Sequence, residues 1–177
     1  FSDPEVTRHY DLDTFQERSQ AEDLVARFRQ RFHQRIGLRW TIASREDSGV
    51  VLGTCGYNIW IQSSRRALLG YDLNRLFWRR GIMKDALEAV LRFGFGSMQL
   101  NRVEALVFVG NTASCRLLEK LGFQREGVLR EYELLNGRFE DMAMYSLLRG
   151  ELDDVAGGSP LTRRMTPPAP SNQAVPS

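Results

Sequence analysis

The order of apolar periods along this chain predicts an α/β (α+β) fold, a mixed sheet with helices on both faces. Three observations lead there. Short strand-like apolar runs alternate with runs of helical period. One such run, residues 67–73, passes through Phe77-Trp78-Arg79-Arg80-Gly81-Ile82-Met83-Lys84 directly into a helical run, the pattern of a strand, a glycine turn and a helix start. Near the end, Asn136-Gly137, the strongest two-residue hairpin signal in the chain, separates two further strand-like runs.

Taken in order, residues 1–15 read as irregular, with Asp3-Pro4 as a turn. Residues 19–36 read as a helix that Ser19 can cap, with Leu24, Val25, Phe28, Phe32 and Ile36 at helical spacing and Arg27, Arg31 and Arg35 on a solvated face. Residues 38–44 are strand-like, with Leu38, Trp40 and Ile42 on one face, and Glu46-Asp47-Ser48-Gly49 turns the chain into a second strand, residues 50–61. Residues 67–73 are a third strand, and a helix runs from Arg80 or Gly81 to Met98. Residues 102–109 are almost continuously apolar, as a buried central strand is. A short helix, residues 112–121, stops at Gly122, and residues 123–135 and 138–148 form the final hairpin. Residues 1–152 thus make one domain, and the Gly-, Ser-, Pro-, Thr- and Ala-rich segment 153–177 is expected to be a disordered tail.

Composition narrows the function. A chain of 177 residues with 42% hydrophobic content can bury a real core. A net charge of +2 is too small to argue for nucleic acid. No apolar run suits a membrane span and no secretory signal is visible, so the expected location is cytoplasmic. Cys55 and Cys115 form no metal-ligand spacing, His9 and His33 stand apart from them, and no metal is expected. Phosphate loops of the Gly-x-x-x-x-Gly-Lys-Ser/Thr and Gly-x-Gly-x-x-Gly kinds are absent, which removes the usual nucleotide-binding domains.

The turn at Gly81 is the chemically suggestive feature. Main-chain N–H groups at a helix start point outward at an anion, and Gly81 permits close approach to the main chain. Arg79, Arg80 and Lys84 set three cations where the helix dipole disfavours positive charge, a penalty that a bound polyphosphate reverses. The alternative is a solvated basic turn.

Three more segments join it: Asn101-Arg102-Val103-Glu104-Ala105, the run from Gly110-Asn111-Thr112-Ala113-Ser114-Cys115 to Gly122-Phe123, and Glu126-Gly127-Val128-Leu129-Arg130. With Asn136-Gly137 and Tyr145-Ser146-Leu147-Leu148, they closely resemble the GNAT N-acetyltransferase superfamily, and within it the ribosomal-protein N-terminal (Rim-type) branch, over residues 2–149. The resemblance implies a strongly bent mixed sheet and acetyl transfer from acetyl-CoA to an amine. It places the coenzyme diphosphate on Trp78, Arg79, Arg80, Gly81, Ile82, Met83 and Lys84, with the N–H groups of Arg79, Gly81, Met83 and Lys84 as donors. This chain departs from the family pattern at Trp78, where Gln or Arg is usual, and at Met83, where Gly or Ala is usual. The resemblance lays the pantetheine arm between the strands 67–73 and 102–109, beside Tyr71, Asp72 and Leu73, in a form of strand addition. It gives Asn111 a hydrogen bond to that arm; the alternative for Asn111 is a helix cap. It also implies that a leading strand and helix are missing here, leaving residues 38–44 as an unprotected sheet edge.

For the chemistry, the amine must be neutral, the oxyanion stabilised and the leaving thiolate protonated. The tyrosine many relatives use falls at Leu118, and the Rim-type serine falls at Ser114, whose alternative is a hydroxyl bonded back to its own helix. Glu133, in Glu133-Leu134-Leu135-Asn136-Gly137, matches the Rim-type glutamate and can act as base. Alternation puts Glu131 and Glu133 on one face with Leu129 and Leu135, and the alternative is a solvent-facing pair. Asp141 and Tyr145 share a face, as groove lining or as ordinary hairpin residues, and Cys115 is a packing residue. An α-amino group, with a pKa of about 8 against about 10.4 for lysine, is roughly a tenth neutral at pH 7. This favours peptide N-termini or activated small amines over lysine side chains without choosing between them; with the Rim-type resemblance the expected acceptor is a peptide or protein N-terminus, and the alternatives are a small-molecule amine of the aminoglycoside or polyamine type, or a coenzyme-binding module without turnover. The expected assembly is a monomer or homodimer.

Overall fold

The computed structural model describes residues 1–8, 12–44, 46–47, 49–135 and 137–155. Helices α1 (Pro4–Thr7) and α2 (Arg18–His33) lead into strands β1 (Leu38–Ala43), β2 (Val51–Ile61) and β3 (Arg66–Leu73). Helix α3 (Ile82–Gly96) follows, then β4 (Arg102–Phe108), α4 (Thr112–Lys120), β5 (Gln124–Leu135), β6 (Arg138–Leu148) and α5 (Arg149–Val155). The six strands form one sheet in the order β1-β2-β3-β4-β6-β5. Only β3 and β4 run parallel, because α3 carries the chain back between them. The α/β sheet inferred from the sequence is present, β4 is central as expected, and β1 is an edge strand paired only to β2. The tail expected over residues 153–177 overlaps the last three residues of α5, and its remainder and the Asn136 half of the hairpin turn lie outside the described residues; Gly137 has φ 77°, as a tight turn requires.

Helix α2 corrects the sequence reading at both ends. Its cap is Glu17, not Ser19: the Gln20 side chain accepts the Glu17 N–H at 3.0 Å, and Ser19 instead donates to the Glu17 carboxylate. It ends at His33 because Arg35 turns left-handed (φ 55°), and the Ile36 carbonyl then accepts the Trp60 N–H at 2.7 Å.

The core lies between the sheet and α3 with α4. Leu87, Val90, Leu91 and Phe95 recur at helical spacing along α3 and are all buried. They meet the inward residues of the strands, including Tyr57, Leu69, Val103, Ala105 and Leu147. Tyr57 is fully buried, and its hydroxyl donates to the Val90 carbonyl at 2.9 Å, so no polar atom there lacks a partner. On the opposite face a chain of charge crosses four strands: Arg66 to Glu104 (2.8 Å), Glu104 to Arg102 (2.8 Å), and Arg102 to Glu126, which also accepts from Ser146 at 2.7 Å. The Arg102 guanidinium, then the Ser146 hydroxyl, hold the Glu126 carboxyl down at about 2. Among the described residues no helix is long and apolar enough to cross a membrane.

Gly94 of α3 is packed against this core. A Cβ there would sit 2.0 Å from the Tyr57 hydroxyl oxygen and 2.8 Å from its ring carbon. Gly94→Ala is expected to destabilise the fold by about 1–3 kcal/mol despite the better helix propensity of Ala. Adding Tyr57→Phe should return part of that loss, a coupling that thermal denaturation of the two single variants and the double variant would read.

Candidate active site

The parallel pair β3–β4 is closed at one end and open at the other. It pairs through Arg66↔Arg102, Ala67↔Val103 and Leu68↔Glu104 and then stops. Beyond that point β3 stays on β2 up to Gly53↔Leu73, and β4 stays on β6 up to Phe108↔Met142. A wedge therefore opens between residues 69–73 of β3 and residues 105–108 of β4. Its main-chain groups can be oriented from the register. The Asn74 N–H bonds the Leu52 carbonyl at 2.8 Å, so even-numbered positions of β3 face β2, and the main-chain groups of Tyr71 and Leu73 turn toward the wedge.

Both helices that follow these strands begin at the wide end. The chain leaves β3 through a 3₁₀ turn, Arg75–Phe77, into an extended Trp78, a left-handed Arg79 (φ 60°) and a left-handed Gly81 (φ 80°), which is the N-cap of α3. A Cβ at Gly81 would meet nothing within 4 Å, so what demands glycine there is the conformation, not crowding. The first bond of the helix is the Asp85 N–H on the Gly81 carbonyl, at 3.1 Å. Among the described residues the N–H groups of Arg79, Gly81, Ile82, Met83 and Lys84 have no acceptor, as the first turn of a helix leaves them. Unpaired N–H groups at an exposed helix start suit an anion.

The side chains of this turn divide. Met83 is buried in the core, so its bulk does not lie across the corner. Lys84 pairs with Glu88 at 2.5 Å, and that hydrogen bond raises the ammonium pKa. Arg80 stacks its guanidinium 5.5 Å from the Phe77 ring centroid. Arg79 is exposed. The Trp78 indole N–H donates to the Leu73 carbonyl at 2.8 Å.

Asp72 does not aim its side chain at the wedge. It faces the other side of the sheet and is nearly buried with Arg39, Nη2 to Oδ2 at 2.6 Å. The same carboxylate accepts the Thr54 hydroxyl at 2.6 Å and the Thr54 N–H at 3.1 Å. Arg39 also bonds the Asn58 side chain at 2.7 Å and lies 4.9 Å from the Phe28 ring centroid, so one guanidinium ties β1, β2, β3 and α2 together. Nothing local in the sequence announced this pair, whose partners lie 33 residues apart.

At the start of α4, Asn111 is the N-cap: its side-chain oxygen accepts the Ser114 N–H at 3.1 Å, and its amide N–H₂ has no hydrogen-bond partner among the described residues. The Ser114 hydroxyl is half-buried and makes no hydrogen bond among the described residues, so it is not bonded back to its helix. Leu118 is fully buried. Tyr145 is a core residue beneath α4, with its hydroxyl 3.2 Å from Glu119 and its pKa raised by burial and by its bond to Cys115.

The hairpin breaks the expected alternation. Between Leu129↔Met142 and Glu133↔Glu140 the strand β5 carries two residues more than β6. The surplus bulges at Glu131, which is left-handed (φ 50°) and donates its N–H to the Asp141 carboxylate at 2.9 Å. Glu131 thus lies inside the bulge, outside the regular pairing, while the half-buried Glu133 keeps the face of Leu129 and Leu135. The bulge frames a cavity of about 790 Å³ lined by Leu129, Glu131, Tyr132 and Asp141 among others. Because the Asp141 carbonyl accepts the Val109 N–H at 3.1 Å, this cavity stands beside the wide end of the wedge and the start of α4.

A parted parallel pair with two helix starts at its mouth matches a known family. The acetyltransferase (GNAT) domain model matches residues 1–124. The chain is 41% identical over 151 residues to the uncharacterized N-acetyltransferase p20 of Bacillus licheniformis, covering 85% of this chain and 84% of that one. It is 28% identical over 102 residues to the [ribosomal protein uS5]-alanine N-acetyltransferase of Escherichia coli, covering 57% of this chain and 53% of that one. The fold also superposes on the spermidine N-acetyltransferase of Vibrio cholerae in complex with CoA and spermine, with TM-score 0.74, 18% identity, and coverage of 85% and 86%. The chain belongs to the GNAT acetyltransferase family. It is an acetyl-CoA-dependent N-acetyltransferase.

The Arg39–Asp72 pair gives this site its test of integrity. Arg39→Met strands a nearly buried carboxylate and should cost about 3–5 kcal/mol. Combining it with Asp72→Asn should recover much of the loss, as denaturant unfolding of both variants would measure.

Proposed function

We propose that this enzyme acetylates a peptide or protein N-terminal α-amino group, by direct attack of the amine on the thioester of acetyl-CoA in a ternary complex. The observation that carries this reading is the wedge between β3 and β4 with free N–H donors at Gly81 on one side and the Asn111–Ser114 cap on the other. The donors at Arg79, Gly81, Met83 and Lys84 receive the diphosphate, with Trp78, Arg80 and Ile82 shaping the turn. The pantetheine arm lies along the edge of β3 at Tyr71, Asp72 and Leu73, where the main-chain groups of Tyr71 and Leu73 face it while Asp72 turns its backbone to β2 and its carboxylate to Arg39. The amide of Asn111 meets the arm from the α4 side.

Ser114 has the chemistry for the leaving group. Its hydroxyl is uncommitted and can donate to the departing sulfur. As the amine nitrogen bonds to the carbonyl carbon and the C–S bond breaks, one proton must leave nitrogen and one must reach the thiolate. Glu133 is the base for the first and the Ser114 hydroxyl serves the second, with solvent restoring the balance. A weak base suffices because an α-amine of pKa about 8 is already partly neutral at pH 7. A polyamine is the second reading. Its support is the carboxylates of Glu131, Glu133, Glu140 and Asp141 around the bulged hairpin, a setting that suits a multiply charged amine.

Thiol release from acetyl-CoA against a panel of N-terminal peptides and polyamines decides between them. Turnover is expected with free N-terminal peptides and none with their N-acetylated forms; preference for spermidine-like amines would install the second reading. Binding of acetyl-CoA without release across the panel would leave a non-catalytic module. Ser114→Ala and Glu133→Ala should each lower kcat by about 10²-fold while the Kd for acetyl-CoA holds. A variant that lost affinity with kcat intact would remove that residue from the chemistry.

A further inference from the structure

Trp78 is the side chain of the Gly81 turn that reaches back to the strand. Its indole N–H meets the carbonyl of Leu73, the last residue of β3, at 2.8 Å. Register turns that carbonyl toward the wedge, so the bond lies at its mouth. The other bonds of the turn are local, apart from the ion pair of Arg75 with Asp3 at 3.0 Å. Phe77 N–H to the Asn74 carbonyl (2.9 Å), Trp78 N–H to the Arg75 carbonyl (3.2 Å) and Leu76 N–H to the Asn74 side chain (3.0 Å) shape residues 74–78 alone. From Arg79 to Gly81 two left-handed residues carry the chain outward, and no main-chain N–H there is held among the described residues. The Trp78 bond is a direct hydrogen bond from the turn before α3 to the end of the strand, beside the packing of Phe77, Ile82 and Met83 on the core.

We propose that Trp78 is a positioning residue that sets the separation between two halves of the coenzyme site, the β3 edge that takes the pantetheine arm and the N–H cluster that takes the diphosphate. This rests on the placement of acetyl-CoA proposed above. The two halves bind one ligand of fixed covalent length, so an error in their spacing is felt as lost affinity, and shifts of about 1 Å matter on that scale. The same bond occupies the Leu73 carbonyl, ending the edge available to the arm at that residue. The ring itself is 41% exposed, so its burial contributes little to the core and the hydrogen bond is its principal structural tie.

The test compares a donor with the diphosphate and one without it. Trp78→Phe keeps an aromatic ring and removes the N–H. Its Kd for acetyl-CoA, by calorimetry, is expected to rise about 3- to 10-fold, the range one hydrogen bond of this kind spans. Its Kd for S-acetylpantetheine, by ligand-observed NMR, is expected to stay within about 2-fold, since that donor spans only one half of the site. The readout is the ratio of the two affinities on the same sample, in which any inactive fraction cancels. Equal losses for both donors would mark a merely structural or arm-contacting tryptophan and overturn the proposal, as would no loss for either. If the unmodified enzyme itself binds acetyl-CoA no tighter than S-acetylpantetheine, the diphosphate cradle falls with it. If the unmodified enzyme shows that preference and Trp78→Phe retains it in full, the positioning role alone falls.

Discussion

The parting of β3 from β4 is the constraint on which the rest of the molecule turns. A parallel pair that opens part-way leaves main-chain donors and acceptors that a protein ordinarily cannot leave unmet. The opening persists because each strand is held harder on its outer side. β4 is paired to β6 along its whole length, and β3 is paired to β2 beyond the point where β4 departs. The two faces of the sheet reinforce this unequally along the strands. At the closed end the Arg66–Glu104–Arg102–Glu126 chain crosses the β3–β4 seam, and at the open end the Arg39–Asp72–Thr54 cluster pulls β3 toward β2 and β1 instead. Charge on the α2 side thus fixes where the seam closes and where it gapes.

The mouth of the wedge is lined mainly by backbone. Two helices begin there, each with a first turn of outward N–H groups, and only α4 has a side-chain cap. At α3 the N-cap is glycine, so its donors remain for a ligand. This explains why Met83, in place of a smaller residue, is compatible with the turn: a residue that contributes its N–H can send its side chain into the core. It also explains why the cations of the turn are secondary, since Lys84 and Arg80 already hold partners while the amides do not.

What was legible in the sequence follows the same division. Strands β1 to β6 were visible to within a residue or so at each end, because period-2 burial and Gly or Asn-Gly punctuation are local signals. The helix start at Gly81 and the cap at Asn111 were visible for the same reason. Three features were not. The Arg39–Asp72 pair depends on residues 33 positions apart meeting across two strands. The Glu131 bulge places a non-glycine residue in the left-handed region, held by an Asp141 carboxylate from the neighbouring strand, and no run of alternating residues reveals an inserted pair. The Trp78 indole looked like a departure from a pattern until its acceptor, a main-chain carbonyl with no side-chain signature, came into view.

The same contrast separates the two substrates. A coenzyme common to a family can be held by amides, whose positions depend on backbone conformation and survive changes of side chain. An acceptor has to be distinguished by side chains, and in the reading proposed above those project from the bulged hairpin β5–β6, where Tyr132 is 52% and Phe139 64% accessible. The bulge interrupts the alternation at Glu131, which frames the cavity with Asp141, while Glu133 lies beyond it on the paired part of the strand. On the function proposed above, acceptor specificity would follow the geometry of these two surplus residues on one strand, and the coenzyme half of the site can remain unchanged while that geometry varies.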